Sequence, residues 1–299
     1  MILNWRTADY AVRAAPSTIR ARAAPARVIV VDNGSADGSA ARLRTALPEC
    51  EIVELEENLG FARANNAGAA ICPGAAYMFV NSDAFVQGPG SVDLLLSALD
   101  DPTVGLAVPR LLNQDLTLQP SVVPISTPLP ELVRASGLSR FMPDALQPRL
   151  GTYWSHGVSR DVQAADGAVI LIRGRTWDEL GGFDESLYMY AEDHELFGRA
   201  ADRGWRTRFV ADAVFVHLGG ASARRRWDPP ARAERIARGE ARVIRARLGP
   251  FRSRLTLFLM AAGVGLRSVF HRVRGDREAS ATQAAWFRGY ASRSSDLSE

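Results

Sequence analysis

Four short runs rich in β-branched residues, RVIVVD (27–32), EIVEL (51–55), AYMFVN (76–81) and VGLAVP (104–109), alternate with the longer stretches GSAARLRTAL, GFARANNAGAAI and SVDLLLSAL. This alternation leaves few folds open. Parallel strands must be joined by crossovers, and a helix is the crossover that also covers a sheet face. The predicted class is therefore α/β, a mostly parallel central sheet with helices on both faces. A chain of 299 residues, 47% hydrophobic and 23% charged, can bury a core of that size.

Ligands of such sheets gather at the carboxyl ends of the strands. After VIVV come Asp32, Asn33, Gly34 and Ser35, after EIVEL comes EENLGFARANN, and after YMFV come Asn81, Ser82 and Asp83. Each alone is ordinary turn chemistry. Three in succession at one sheet edge predict a shared pocket.

Beyond residue 110 the pattern changes. Residues 119–160 contain many prolines and little periodicity, which predicts a long functional or mobile loop. Regular structure resumes with VQAADGAVILIRG, a strand pair or bent strand, and with a short helix closed by Gly181-Gly182. A further helix is predicted from Glu192, with acidic residues at its amino end, and then RTRFVADAVFVH as two short strands ending at His217.

The formal charge of +3 hides an asymmetry, since residues 224–277 hold fifteen Arg against four acidic residues. Within this basic stretch lies LTLFLMAAGVGL (255–266), twelve uncharged positions flanked by Arg252, Arg254, Arg267, Arg272 and Arg274. A bilayer-spanning helix takes about twenty residues. The run is expected instead to lie on an anionic membrane surface as an apolar helix with basic flanks. No aromatic-basic interleaving or helix-turn-helix pattern points to nucleic acid. Cys50 and Cys72 form neither a disulfide framework nor a zinc set. The first ten residues show no secretory leader, so the expected location is cytoplasmic, peripheral on the inner face of the cell membrane.

Together VIVVDNGSADGS, ENLGFARANNAG, FVNSDAFV, ADGAVILIRGRTWDELGGFDESLYMYAEDHELFGRA and VHLGGAS resemble the family 2 glycosyltransferases, and among them the bacterial rhamnosyltransferase-like branch. The likeness runs from about residue 2 to 222. It implies a GT-A fold, with residues 1–110 as a nucleotide-sugar-binding half, 111–222 as an acceptor-binding half, and 223–299 as a basic and apolar helical region. Asn81-Ser82-Asp83 then matches the Asp-x-Asp type motif, with Asn at its first position. Asp83 would hold Mn2+ or Mg2+ on the donor diphosphate, and His217 matches a second metal ligand. Asp32 would bind the nucleotide base, with Asn4, Asn58, Asn65 and Asn81 around it. Asp193 matches the general base and Glu192 its partner, while Asp166-Gly167 matches the floor between donor sugar and acceptor. Trp154 and His156 either stack on a sugar or pack internally, and Gly60 either admits a ligand or makes a plain turn.

The implied reaction moves a sugar, with rhamnose from dTDP-rhamnose favoured, to a lipid-linked or polysaccharide hydroxyl with inversion. A second copy of the chain is a candidate partner. A sugar nucleotidyltransferase and a non-catalytic, membrane-associated partner stay open as alternatives. One departure from the family pattern is that only Met1, Ile2 and Leu3 precede Asn4-Trp5, where a longer first strand is implied.

Overall fold

The computed structural model describes residues 1–23, 26–151 and 154–292, so positions 152–153 of the proline-rich stretch and the last seven of the carboxyl-terminal region lie outside the described residues. Strands β1 (Ile2–Asn4), β2 (Ile29–Asp32), β3 (Glu51–Glu54) and β4 (Ala76–Asn81) run parallel in the spatial order β3-β2-β1-β4. Helices α1 (Ala8–Arg20), α2 (Ser39–Ala46) and α3 (Gly60–Ile71) connect them. The short first strand therefore has a three-residue counterpart at the centre of this parallel set. All four residues of β2 are buried, as expected of a strand covered on both faces.

Next come β5 (Ala84–Val86), α4 (Ser91–Ser97), β6 (Val104–Leu112), β7 (Leu118–Gln119) and β8 (Val122–Val123). Helices α5 (Pro128–Ser136) and α6 (Gln147–Leu150) follow, then β9 (Arg160–Val162), β10 (Ala164–Ala165), β11 (Val169–Arg173), α7 (Gly174–Leu180), α8 (Glu192–Asp202) and β12 (Arg206–His217). Strand β11 enters antiparallel between β4 and β6, and the sheet continues through β12 to β5. Strands β7 and β9 pair at its side, while β10 and β8 form a separate two-stranded sheet.

Side chains sort onto two faces with the period of two that a strand imposes. Along β11, Val169 and Leu171 join the core beneath α1 and α4, whereas Ile170 and Ile172 join the core beneath α7 and α8. On the second face Phe79 is fully buried, with its ring centroid 4.8 Å from that of Trp177 and 5.1 Å from that of Phe183.

Two stretches depart from their expected form. RTRFVADAVFVH is one strand, not two, because a bulge absorbs Ala211 to Ala213 while the ladder with β6 advances from Pro109 to Arg110. Residues 119–160 are not one loop. They hold β8, α5 and α6, and the prolines that suggested a long loop include Pro128 and Pro130, which sit in the first turn of α5 where a missing amide costs little.

The carboxyl-terminal region forms α9 (Ala221–Arg226), α10 (Pro229–Arg247), α11 (Pro250–Val273) and α12 (Arg277–Ala291). Asp228 caps α10 by accepting from the Ala231 amide, with Pro229 following it. Ala237, Ala241, Ile244, Leu257, Met260, Val264 and Tyr290 make a core of their own. The run 255–266 belongs to a helix of 24 residues, long and apolar enough to cross a membrane by length and composition, so the expectation that it is too short is corrected. Helix propagation continues through the flanking arginines because Arg is a good helix former.

Phe79→Ala is expected to cost about 3–5 kcal/mol of stability in urea unfolding, because the rings around it cannot close the space. A loss under about 1 kcal/mol would show that the aromatic cluster collapses freely.

Candidate active site

Parallel register brings the expected polar residues to one edge. Asn4 pairs with Asp32 across β1 and β2, and Leu3 pairs with Asn81 across β1 and β4. The link from β10 to β11 arrives beside them, where the Asn81 amide donates to the Ala168 carbonyl (2.9 Å) and the Asp166 amide to the Ser121 carbonyl (2.7 Å). A cavity of about 410 Å3 opens here, and Asn58, Asn81, Asp83, Asp166, Glu192, Asp193 and His217 all line it.

Asp83 and His217 meet because β5 and β12 are antiparallel, with Ala84 opposite His217. The Asp83 Oδ2 accepts from the Ala221 amide at 2.7 Å, and its Oδ1 lies 3.4 Å from His217 Nε2. Burial alone would raise the Asp83 pKa, yet the charged form of the neighbouring imidazole and the Ala221 amide hold it below the ordinary value. The other ring nitrogen, Nδ1, is 2.8 Å from the Gln119 side-chain oxygen. That amide cannot turn over, since its nitrogen donates to the His217 carbonyl (3.3 Å) and to Asn113 Oδ1 (3.1 Å), while Asn113 in turn donates to the Leu118 carbonyl. A neutral His217 thus carries its proton on Nδ1 and turns the Nε2 lone pair toward a carboxylate.

Two lone pairs facing each other attract only with a proton or a cation between them. His217 Nε2 is buried and has no hydrogen-bond partner among the described residues, which fits a divalent cation held by one carboxylate oxygen and one imidazole nitrogen. That donor set suits Mn2+ better than Mg2+. Among the described residues no cluster of three or more His, Cys, Asp or Glu is placed to hold an ion. Oxygens from a bound diphosphate and water would complete such a site.

The acid pair opens α8 after Tyr190 and Ala191, two non-glycine residues in the left-handed region at φ +77° and +71°. Backbone in that region is strained and persists only where its surroundings enforce it. Asp193 Oδ2 accepts from the Gly167 amide and Oδ1 from the His194 amide, each at 2.7 Å, which fixes the carboxylate. A Cβ on residue 167 would lie 2.8 Å from Asp193 Cβ, so this close approach needs glycine.

The other acids beside it are pushed toward their protonated forms. Burial, and then the charge of Asp193, push Asp166 up to about 7 and Glu192 up to about 8. Glu192 Oε2 has no partner among the described residues. Burial disfavours charge on His194, but the carboxylates of Asp193, Glu240 and Asp166 outweigh it and raise its pKa.

Not every expected residue reaches the cavity wall. Asn4 and Asp32 are buried behind it, with Asn4 Nδ2 donating to Asp32 Oδ1 at 2.6 Å and the Ser35 hydroxyl donating to the same oxygen at 2.5 Å. Asn65 donates to the Phe61 carbonyl within α3 (3.0 Å). Asn58 lies on the wall and accepts from the Gly60 amide (3.0 Å). The tight approach at Gly60, φ +81°, is to the Tyr188 carbonyl. Trp154 and His156 stack on each other (4.1 Å) against Phe209, so they pack internally.

Sequence reading missed the wall built by the carboxyl-terminal helices. Arg226, Trp227, Arg232, Glu240 and Trp286 all line the cavity. Arg226 sits 5.0–5.6 Å from the ring centroids of Trp5, Tyr188 and Trp227 and donates to the Tyr188 hydroxyl at 2.7 Å. Glu240 accepts from the Tyr290 hydroxyl at 2.5 Å. The only sequence signal for any of these was an Arg-Trp pair inside a basic run.

Gln119→Leu is expected to release the ring of His217. In the metal-free protein, at a pH where the imidazole is neutral, 15N NMR should find His217 protonated on Nδ1 in the parent chain and shifted toward Nε2 in the variant; an Nε2–H parent would refute the network. The raised Asp166 has a consequence for stability as well. Its folded-state pKa exceeds the unfolded value, so the folded chain binds more protons and stability falls as pH rises from about 4 through 7. A rise from 3.8 to about 7 corresponds to about 4 kcal/mol. Asp166→Asn should therefore flatten the decline of Tm between pH 5 and 8, and equal slopes would show that Asp166 titrates normally.

Comparison with known proteins bears on the family and the fold. Residues 7–125 match the profile of glycosyl transferase family 2. N-acetylglucosaminyl-diphospho-decaprenol L-rhamnosyltransferase of Mycobacterium tuberculosis is 29% identical over 217 residues, covering 64% of this chain and 66% of that protein, just under two thirds of its length. The O-antigen biosynthesis protein RfbC of Myxococcus xanthus is 26% identical over 205 residues, 66% of this chain and 15% of that one. A mannosyltransferase from Pyrobaculum calidifontis, solved in complex with GDP-Man and Mn2+, matches with a TM-score of 0.63 at 17% identity, over 97% of this chain and 84% of that chain. TarS of S. aureus, solved in complex with UDP, matches with a TM-score of 0.51 at 12% identity, over 96% of this chain and 89% of that chain. These two share the GT-A fold with this chain. The chain is thus similar to the family 2 glycosyltransferases over residues 7–125 and, at 29% identity, to a rhamnosyltransferase.

Proposed function

We propose that this chain transfers a glycosyl group from a nucleotide diphosphate sugar to an acceptor hydroxyl, with inversion and with the help of a divalent cation. The observation that carries the reading is that the Asp83–His217 pair and Asp193 face one cavity. A cation held at the pair would neutralise charge on the departing nucleoside diphosphate. Asp193 takes the proton from the acceptor hydroxyl as that oxygen attacks the anomeric carbon from the side opposite the leaving group. Its two amide donors aim the carboxylate at the acceptor. Glu192, held protonated, does not compete for that proton and is free to donate a hydrogen bond to the acceptor or to Asp193. No covalent sugar-enzyme intermediate is required.

The favoured donor is dTDP-rhamnose and the favoured acceptor a lipid-linked or polysaccharide sugar of the cell envelope. Similarity to an M. tuberculosis protein that is a rhamnosyltransferase for a diphospho-decaprenol-linked sugar supports this choice. Arg226 and Arg232, with Trp227 and Trp286 beside them, give the wall both guanidinium groups for phosphate and aromatic faces for a sugar.

A screen of dTDP-, UDP- and GDP-sugars with Mn2+ and a lipid-linked acceptor, reading nucleoside diphosphate release, tests the assignment. Turnover is expected with dTDP-rhamnose, and Asp193→Asn should lower kcat about 10²- to 10⁴-fold with the fold intact. Near-normal kcat in that variant would remove Asp193 from the role of base.

A further inference from the structure

One face of α11 has no partner among the described residues. Phe251, Leu255, Phe258, Leu266, Val269 and Val273 are 37% to 82% exposed. With the half-buried Ala262 they stand at spacings of four, three, four, four, three and four, so they form a single stripe along the helix. At 1.5 Å per residue that stripe is about 33 Å long. Exposed arginines border it, Arg254 and Arg272 along one side and Arg252 along the other, with Arg274 at its end. On the opposite face Leu257, Met260 and Val264 pack into the core shared with α10 and α12.

We infer that α11 lies in the plane of an anionic lipid leaflet, with this stripe among the acyl chains and the bordering guanidinium groups on lipid phosphates. The helix is long enough to span a bilayer, but its inner face is committed to protein and carries the buried hydroxyls of Ser253 and Thr256. Only one side is free for lipid, which is the geometry of an interfacial helix. Arginine bordering an apolar stripe matches lipid phosphate in charge and depth; a second copy of the chain would bring arginine against arginine.

The docking surface connects with the cavity through α12. Trp286 lines the cavity, and the next residue, Phe287, is 44% exposed and packs over Gly265 of α11. Beside α11, α5 exposes Leu129 and Leu132. Docking by this face would hold the wall of the cavity close to the leaflet, where a lipid-linked acceptor is within reach. That last consequence rests on the proposed transferase reaction, whereas the docking itself does not.

Flotation of the full chain with vesicles separates the outcomes. Binding is expected to phosphatidylcholine vesicles containing phosphatidylglycerol, with weaker binding to phosphatidylcholine alone and in high salt. Phe258→Glu combined with Leu266→Glu, both on the exposed stripe, should lower binding about tenfold or more while circular dichroism and sugar-nucleotide turnover on a water-soluble acceptor stay unchanged. Extraction at alkaline pH should release the parent chain from vesicles. Resistance to that extraction would mean a spanning helix, a dimer dissolved by the two glutamates would mean a protein partner, and unchanged flotation of the variant would mean another surface; each overturns the proposal. Failure to float would leave nucleoside diphosphate release unaffected, so it would not count against the transferase reading.

Discussion

The site depends on the antiparallel insertion of β11 between β4 and β6. This one strand joins the parallel set that carries Asn81 to the strands that carry His217, and it makes the sheet continuous across both halves. Its ladder with β4 also fixes where the preceding link lies, so Asp166 and Gly167 arrive at the carboxyl end of β4. Gly167 then donates its amide to Asp193, and the first and second halves share one cavity. A slip of one residue in that ladder would turn Ile170 and Ile172 toward the wrong core and withdraw the amide from the carboxylate.

Electrostatics around the cavity follow from how each acid is solvated. Asp83 accepts a backbone amide and faces an imidazole, Asp193 accepts two amides, and Asp166 and Glu192 are buried without comparable support. Five carboxyl groups line this one cavity, those of Asp83, Asp166, Glu192, Asp193 and Glu240, and burial pushes the pKa of Asp166, Glu192 and Glu240 up. The short backbone amide donors go to Asp83 and Asp193, each at 2.7 Å. In the proposed reaction, the two acids given these amide donors are the two with work to do: one holds a cation and one takes a proton.

The carboxyl-terminal helices have two faces with different chemistry. Glu240 and Trp286 close the cavity from within, while α11 presents its apolar stripe outward. One compact packing of α10, α11 and α12 therefore serves both the site and the surface. Its arginines divide in the same way, with Arg226 and Arg232 at the cavity and Arg252, Arg254 and Arg272 along the stripe.

Residue patterns alone determined the strand and helix alternation, the polar ends of β2 and β4, and the acid pair at the start of α8, because these depend on local periodicity and on short-range hydrogen-bond preferences. The family resemblance added Asp83 and His217 as expected ligands of one cation. Only the tertiary structure decided that these two face each other, that Gln119, 98 positions from His217, sets its tautomer, and that Trp154 and His156 pack away from the cavity. It likewise turned a proline-rich stretch into α5 and a run of arginines into part of a cavity wall. Such contacts join residues distant along the chain, and which pairs meet is fixed by sheet register and helix packing, quantities that no local pattern encodes.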